Sequence, residues 1–346
     1  MITVLAMAVV LWGIGAAMGT PRRARWVLIA VLLVAVIAIQ VALPSGHLLR
    51  EATGGDVRLW LLLIGFAAIV WGYRLLLGRI RERATEVPTQ PEANSFCDAE
   101  LDRYARHIIM REIGGPGQRA LKQANVLVVG AGGLGAPALQ YLAAAGVGTI
   151  GVIDDDLVEN ANLQRQVIHM DAQIGNPKVQ SAADAITSQN PFVAVRPYQR
   201  RLTPDIADDL FADYDLILDG TDNFETRYLV NEVATRLGKP LIAAALTQWE
   251  GQISLYHPAQ GTPCYACVFP ERPDPALVPS CAEAGVLGPL PGVIGSMMAV
   301  EAVKQITGAG QTLAGRLMIY DAQYAETRTI SVKPRADCTI CPTKGT

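Results

Sequence analysis

Histidine is scarce in this chain, with four residues among 346. Three of them, His107, His169 and His257, lie outside the apolar N-terminal part, and none has neighbours that suggest catalysis. We therefore assign no histidine a role. This argues against a nicotinamide dehydrogenase, which usually needs such an acid–base group beside its substrate. Cysteine is also sparse, because six residues in a chain of this length do not make a disulfide scaffold.

The first 83 residues contain no lysine and only three acidic residues, against nine arginines. Their net charge is +6, and because the whole chain carries −3, residues 84–346 carry −9. An acidic body without a basic stripe argues against a nucleic-acid partner.

Three long apolar runs, at residues 2–18, 26–43 and 57–77, fill this N-terminal part. A spanning helix needs roughly 20 apolar residues, and the first run is slightly short. Signal peptides carry their positive charge before the apolar run, whereas here arginines follow it, so we favour three spans. No ionisable residue lies in the middle of a span, which indicates an anchor rather than a transport pathway.

Arginines follow the first and third runs, so the positive-inside rule places the C-terminal part in the cytoplasm. We therefore expect a multi-pass transmembrane anchor over residues 1–83, in the inner (cell) membrane. A polar linker with two prolines would follow over 84–97, and a catalytic domain over 98–346.

The central pattern begins with a short apolar run at 126–129, which predicts a buried parallel strand. Four closely spaced glycines follow it: Gly130, Gly132, Gly133 and Gly135. A helical pattern comes next, and then a second apolar run, 149–153, that ends in Asp154. Such a unit lets a phosphate approach the backbone at a helix N-terminus, while the acid can take ribose hydroxyls. It predicts a Rossmann-like α/β domain with a mostly parallel sheet; a merely tight structural turn is the alternative.

Further strands are predicted at 192–198, 214–220, 240–245 and 250–257, and a helix at 223–237. Asp222 and Asn223 follow the strand at 214–220, at the sheet edge where ligand chemistry collects. Arg165 and Lys178 follow a loop beside the glycine turn. Cationic side chains that contact a polyphosphate, together with an acidic residue that binds Mg²⁺, are typical of enzymes that transfer phosphoryl or adenylyl groups. An ionised carboxylate that attacks the α-phosphate of ATP needs no general base, which fits a site without histidine.

Two matched cysteine pairs, Cys264-x-x-Cys267 and Cys338-x-x-Cys341, lie 70 residues apart. The cytosol keeps thiols reduced, and four thiolates make a closed tetrahedral Zn²⁺ site, so we favour structural zinc over a redox couple. Residues 269–292 form a long loop rich in proline and glycine that carries Cys281 and is expected to be functional.

A helix is predicted from Asp98, as its cap, to about Glu112, and it carries Arg103 and Arg106 at i, i+3. On the residues alone, a solvated face is the favoured interpretation of these arginines.

The motifs together resemble the MoeB/ThiF/HesA branch of the ubiquitin-activating-enzyme-like adenylyltransferases, over roughly residues 98–342. The resemblance rests on these stretches, in chain order: 103–108, 129–135, 154–156, 162–166, 175–178, 219–223, 264–267, 280–288 and 338–341. The N-terminal membrane segment is not part of the usual family pattern.

The resemblance implies a function. The family uses ATP and Mg²⁺ to adenylate the C-terminal glycine of a ubiquitin-like sulfur carrier that ends in Gly-Gly. Molybdenum cofactor synthesis is the favoured pathway here; thiamine or another sulfur-transfer pathway is the alternative. A nicotinamide- or flavin-binding oxidoreductase and a non-catalytic membrane scaffold are the competing classes.

The resemblance also implies roles for single residues. Gly133 would face the phosphates, Asp154 would hold the ribose and Asp222 would coordinate Mg²⁺, while the triphosphate would be contacted by Asn162, Arg165 and Lys178. Arg106 would reach into a partner subunit's site, which replaces the solvated-face interpretation and implies a homodimer. The four paired cysteines match the family's structural zinc site. Cys281 matches a position that forms a covalent link to the carrier in some members; a buried small residue is the equal alternative.

Overall fold

The computed structural model describes residues 2–44, 46–85, 95–272 and 284–341. The chain divides into two compact units, Met1–Gln90 and Pro91–Thr346. Cys281 and the middle of the predicted linker lie outside the described residues.

The described part of the first unit contains four helices: α1 (Ile2–Ala17), α2 (Arg22–Ala42), α3 (Leu48–Ala52) and α4 (Val57–Thr85). Its small core brings together Val4, Val36 and Trp60, one from each long helix. The Trp60 indole donates a hydrogen bond to the Thr53 carbonyl at 3.1 Å, which ties α4 to the turn before it.

Among the described residues, one helix is long and apolar enough to cross a membrane, Arg23–Ala42, and most of its surface is exposed. The predicted spans at 2–18 and 57–77 also fold as helices, but the described part of the chain supports one crossing helix instead of three. With 16 residues, α1 is about 24 Å long, which is short of a hydrocarbon core of roughly 30 Å.

The second unit is built on one eight-stranded sheet with the order β3-β2-β1-β4-β5-β6-β7-β8. The strands are β1 (Asn125–Val129), β2 (Thr149–Ile153), β3 (Ala194–Tyr198), β4 (Leu216–Asp219), β5 (Leu241–Leu246), β6 (Glu250–Tyr256), β7 (Arg316–Asp321) and β8 (Glu326–Ser331). The pairings from β3 to β5 are parallel, and those from β5 to β8 are antiparallel. The prediction of an α/β fold with a mostly parallel sheet is thus confirmed.

Helices cover both faces of this sheet. They are α5 (Asp98–Ile108), α6 (Gly114–Gln123), α7 (Gly135–Ala145), α8 (Lys178–Gln189), α9 (Pro204–Ala212), α10 (Phe224–Arg236), α11 (Tyr265–Val268) and α12 (Pro289–Thr307). Alternate residues of β1 show the division: Val126 and Val128 pack in the cluster that contains α7, α8 and α12, and Leu127 and Val129 pack with α9 and α10. A parallel strand that is buried on both faces has an almost continuously apolar sequence. The positions of β1 and β2 can therefore be predicted from the sequence.

The helix predicted from Asp98 to about Glu112 is shorter than expected. It ends at Ile108, and Asp98 is its first residue, preceded by Cys97 in the cap position. Residues 110–113 form turns before Gly114, which has a φ of 59° and begins α6. Glycine adopts this left-handed conformation without the cost that a side chain brings, so the chain changes direction here.

Candidate functional site

The glycine turn joins β1 to α7 and is too tight for larger residues at two positions. Gly130 has a φ of 94° and donates a hydrogen bond to the Ile153 carbonyl at 2.9 Å. A Cβ on Gly135 would lie 1.9 Å from the Gly130 carbonyl oxygen, so only glycine fits there. A Cβ on Gly133 would come within 3.0 Å of Pro291 in α12, whereas one on Gly132 would meet ordinary contacts. The turn therefore brings bare backbone to the N-terminus of α7, as a phosphate site requires.

Asp154 is fixed against this turn. Its two carboxylate oxygens accept hydrogen bonds from the backbone N–H groups of Ala131 at 2.8 Å and Asp156 at 2.9 Å. Burial raises the pKa of Asp154 above its ordinary value, while Lys178 and these two N–H donors oppose the rise. The carboxylate is thus held in one orientation beside the second residue of the turn.

Lys178 is the first residue of α8 and is buried. Its Nζ lies 2.6 Å from Oδ2 of Asp156, and its backbone N–H donates to the Asp156 carbonyl at 3.0 Å. A β-bridge between Leu157 and Pro177 brings the two segments side by side. Sequence reasoning missed Asp156 as this partner, although it placed Asp156 in the same acidic motif as Asp154.

Arg165 and Asn162 form a local pair on the other side of the turn. Asn162 ends the 3₁₀ helix Asn160–Asn162, and its Oδ1 accepts a hydrogen bond from Nη2 of Arg165 at 3.3 Å. The Cγ atom of Arg165 lies 3.8 Å from where a Cβ on Gly133 would be, so the arginine stem packs over the glycine turn. The geometry thus brings Arg165 to the turn.

The end of β4 touches the same turn. Gly220 donates its N–H to the Val129 carbonyl at 3.0 Å, and its carbonyl oxygen lies 3.2 Å from where a Cβ on Gly130 would be. Asp222 follows two residues later; it is exposed, and its carboxylate makes no hydrogen bond or ion pair with another described residue. Asn223 caps α10, because its Oδ1 accepts from the Thr226 N–H at 2.8 Å. The structure therefore shows a capping function for Asn223, where a nucleotide contact is predicted.

A buried arginine supports this strand end and was missed by sequence reasoning. Arg227, in the first turns of α10, donates to the Thr221 carbonyl, which precedes Asp222. Asp219 accepts from both the N–H and the hydroxyl of Thr221, at 2.9 and 2.6 Å. These hydrogen bonds fix the backbone of the loop that carries Asp222. The Asp222 side chain itself contacts no other described residue by a hydrogen bond or an ion pair.

Arg106 lies at the other end of the domain from its own glycine turn. The neighbouring Tyr104 packs against Gly146 at the end of α7 and accepts a hydrogen bond from Asn190 at the end of α8. The glycine turn and Lys178 are at the beginnings of these two helices, and α7 alone is about 16 Å long. Arg106 is exposed and pairs with no described residue, so the other predicted site residues are brought together without it.

The four paired cysteines converge. Their Sγ atoms lie 3.8 Å apart for Cys264 and Cys267, 3.6 Å for Cys264 and Cys338, 3.3 Å for Cys267 and Cys341, and 3.6 Å for Cys338 and Cys341. A zinc ion about 2.3 Å from each sulfur of a regular tetrahedron needs S–S separations of about 3.8 Å, so the donor set fits Zn²⁺.

The thiols differ in how readily they ionise. Burial raises the pKa of Cys264 to about 11. At Cys338 burial acts in the same direction, but hydrogen bonds from the backbone of Cys341 and Ile340 outweigh it and lower the pKa to about 7. Cys338 is therefore better prepared than Cys264 to bind a metal as thiolate.

The ThiF family model matches residues 104–342. The chain is 51% identical to "Probable adenylyltransferase/sulfurtransferase MoeZ" of Mycobacterium tuberculosis over 254 residues, which are 72% of this chain and 65% of that protein. It is 49% identical to the "Sulfur carrier protein adenylyltransferase" of Thermus thermophilus, over 70% of this chain and 91% of that one. The crystal structure of E. coli MccB with ATP has the same fold, with a TM-score of 0.60 at 24% identity over 72% of this chain and 76% of MccB.

Proposed function

The chain belongs to the ThiF family, and on that premise we propose that it adenylates the C-terminal glycine of a ubiquitin-like sulfur carrier with ATP. The two curated relatives are named as adenylyltransferases, which supports this reaction class; the chain spans 65% of the length of the first of them. The observation that carries the proposal is the convergence of Asp154, Arg165 and Lys178 on a glycine turn that leaves its backbone bare.

Each of these residues has a place in the reaction. The backbone at Gly133 faces the phosphates, and Asp154 accepts hydrogen bonds from the ribose hydroxyls. Lys178, Arg165 and Asn162 bind the triphosphate, so Lys178 exchanges its contact with Asp156 for a phosphate oxygen. The carboxylate of the carrier's last glycine attacks the α-phosphorus; one P–O bond forms, and the bond to the pyrophosphate oxygen breaks. Pyrophosphate leaves with the electron pair, and no proton has to be moved.

Asp222 is the proposed Mg²⁺ ligand. An exposed carboxylate without a partner among the described residues, at the strand end beside the glycine turn, suits a hard cation that keeps several waters. The bound ion supplies positive charge that neutralises the leaving pyrophosphate.

A homodimer completes the site in this proposal. Arg106 lies too far along its own domain to reach its own glycine turn, but it is exposed and free to enter a second subunit. Three apolar side chains, Leu101, Ile109 and Met110, are also exposed on α5 and the following turn. A self-complementary contact of two such surfaces would place one Arg106 in each site.

Two further parts of the molecule are structural in the proposal. The four cysteines hold Zn²⁺ and join the segment after β8 to the start of α11. The helix Arg23–Ala42 anchors the enzyme in the inner membrane, with the catalytic domain on the cytoplasmic side. The apolar, largely exposed surface of Arg23–Ala42 supports this.

The contacts of the three histidines do not favour the oxidoreductase alternative. His107 contacts Gln118, His257 contacts the Gly238 carbonyl, and both nitrogens of His169 are bonded inside the protein. His169, the histidine that contacts the glycine turn, therefore has neither nitrogen free to exchange a proton with a substrate. Molybdenum cofactor synthesis stays the favoured pathway, and thiamine or another sulfur-transfer pathway uses the same chemistry.

Exchange of radiolabelled pyrophosphate into ATP tests the proposal. We expect the purified full-length protein to catalyse exchange with Mg²⁺ and a carrier that ends in Gly-Gly. The matched control is the same carrier without its last glycine, which should give none. Absence of exchange with every Gly-Gly carrier, while the protein remains folded, would contradict the proposal. Binding of NAD(H) in preference to ATP–Mg²⁺ would favour the oxidoreductase.

A further inference from the structure

His169 is a buried side chain that the proposed reaction does not use, and it contacts the glycine turn directly. Its Nε2 lies 2.9 Å from the carbonyl oxygen of Ala131, which stands between Gly130 and Gly132. A carbonyl can only accept, so Nε2 carries the proton and donates it. The backbone N–H of Ala131 donates in turn to Asp154 at 2.8 Å. Both peptide groups that flank Ala131 are therefore held by a side chain, one by His169 and one by Asp154.

The other nitrogen of His169 faces α8. Nδ1 lies 2.8 Å from the hydroxyl of Ser181, which follows Lys178 by three residues, about one helical turn. The same hydroxyl lies 2.7 Å from Oε1 of Gln173, so its single proton has two acceptors in reach. His169 thus links the helix that begins with Lys178 to the turn that would receive the phosphates.

Burial keeps the imidazole neutral. It lowers the pKa of His169 below its ordinary value, and the positive charge of Lys178 acts in the same direction, while the hydrogen bond to Ala131 opposes them. A neutral imidazole with its proton on Nε2 can donate to Ala131 and accept from Ser181 at once. One residue can therefore serve both contacts without placing a second positive charge beside Lys178.

We propose that His169 is a positioning residue that orients the glycine turn for nucleotide binding and keeps it in register with Lys178. Glycine-rich backbone loses more conformational freedom on ordering than other backbone, so a turn fixed beforehand binds phosphate at a lower entropic cost. The inference rests on the proposed function, because it assigns the ordered turn to ATP.

His257 offers a matched control on the same fold. It is also buried, and its Nε2 also lies near a backbone carbonyl, that of Gly238 at 3.2 Å, but Gly238 follows α10 instead of belonging to the glycine turn. Loss of either imidazole removes a buried hydrogen bond to a backbone carbonyl, so both variants share the loss of stability that comes from this kind of contact.

The test uses four variants of the full-length protein: His169→Leu, His169→Gln, His257→Leu and Ser181→Ala. Two quantities are measured, the dissociation constant of a non-hydrolysable ATP analogue with Mg²⁺ and the amide hydrogen exchange of the peptide over residues 126–139. We expect His169→Leu to weaken binding about tenfold and to speed exchange in that peptide. His169→Gln, whose amide can still donate to Ala131, should recover most of both. Ser181→Ala should show a smaller effect in the same direction, and His257→Leu neither effect.

The inference is overturned if His169→Leu has the same dissociation constant and the same amide hydrogen exchange as the unmodified protein. It is also overturned if His169→Gln and His169→Leu give equal values of both quantities, or if His257→Leu gives the values of His169→Leu. Should the unmodified protein not bind ATP, the proposed function fails, and the exchange measurement still decides whether His169 orders the turn. Thermal unfolding of each variant shows that it is folded; if His169→Leu is not, His169→Gln and Ser181→Ala carry the test.

Discussion

Two carboxylates stand at the same edge of the sheet but are held very differently. Asp154, after β2, is bound by two backbone N–H groups and is next to a buried lysine, whereas Asp222, after β4, is exposed and bonded to no described residue. The β2 side of the site is thus assembled by the chain itself. The side chains of Asp222 on the β4 side and of Arg106 on α5 are not held by other described residues, and in the proposed reaction a ligand or a second subunit completes them. Replacement of a residue that the chain itself holds, such as Asp154, should lower both stability and nucleotide binding. Replacement of an exposed residue such as Asp222 or Arg106 should lower activity alone.

Replacement of Asp222 should give the largest effect on activity. We expect Asp222→Ala to lower pyrophosphate exchange by about 10²- to 10³-fold, because an electrostatic contact to the departing phosphates is lost. Its melting temperature should stay unchanged, since an exposed carboxylate without partners contributes little to stability. Glu225→Ala, which removes an exposed acid in the first turn of α10, is the control and should keep its activity. A fully active Asp222→Ala would refute the Mg²⁺ assignment.

Replacement of Arg106 tests whether the open side is completed by another subunit. We expect Arg106→Ala to lose about 10²-fold in activity without loss of fold. Mixed one to one with Asp222→Ala, it should regain about a quarter of the unmodified activity, because half of randomly paired dimers contain one site with both residues. Failure to complement would place Arg106 outside the partner's site. Arg103→Ala, which removes the hydrogen bond to the Gln189 carbonyl, should lower stability and spare activity.

The four-cysteine cluster, at the antiparallel end of the sheet, is a third region to compare, and its proposed zinc ion can be removed by mutation. Cys264→Ser should lower the melting temperature, because one of four closely spaced thiolates is lost and the remaining buried sulfurs are left without a full coordination sphere. Nucleotide affinity should change little, since the preassembled contacts of Asp154 and Lys178 do not involve the cysteines. Metal analysis of the purified protein should find about one Zn²⁺ per chain, and a Cys264→Ser protein of unchanged stability would contradict the structural role.

The pH dependence of stability should give the smallest effect. Burial lowers the pKa of His169 and of His257, so below about pH 6.5 the unfolded chain binds protons that the folded chain does not. The free energy of unfolding should therefore fall as the pH is lowered through that value, by at most about 1.4 kcal/mol per histidine one pH unit below it. Asp154 contributes with the opposite sign, because its pKa is raised and its contribution weakens as the pH rises.

Urea unfolding of the unmodified protein and of a His169→Gln/His257→Gln variant, at about pH 7.5 and about pH 5.5, separates these contributions. The double variant should lose less stability on acidification. Equal losses would show that the two histidines are not held neutral by burial.

The parallel half of the sheet was the most predictable part of the fold. The run 149–153 was predicted with the bounds that β2 has, because the four residues after Thr149 are buried and none of them is polar. The end of α5 was predicted four residues too late. Ile109 and Met110 continue the apolar pattern, but both are exposed in the turn that leads to Gly114. Periodicity alone does not distinguish an apolar residue that packs from one that is left on the surface.

The candidate site was predictable only where side-chain identity carries the information. The glycines and Asp154 form a motif whose spacing follows from the geometry of one strand–turn–helix–strand unit. The partner of Lys178 depends on the bridge between Leu157 and Pro177, which brings Asp156 beside it and has no signature in the sequence. The hydrogen bond between His169 and the Ala131 carbonyl could not be predicted from the sequence either. Every residue has a backbone carbonyl, and only the fold determines which of them lies next to the imidazole.

The spacing of the four cysteines has a consequence for how the protein matures in the cell. Cys264 and Cys267 leave the ribosome well before Cys338 and Cys341, which follow the last strand of the sheet. A nascent chain cannot close the four-thiol cluster until all eight strands have been synthesised. Zinc capture would therefore be a late step of biogenesis, and a chain whose translation stops early would keep an unpaired thiol pair on an unfinished sheet.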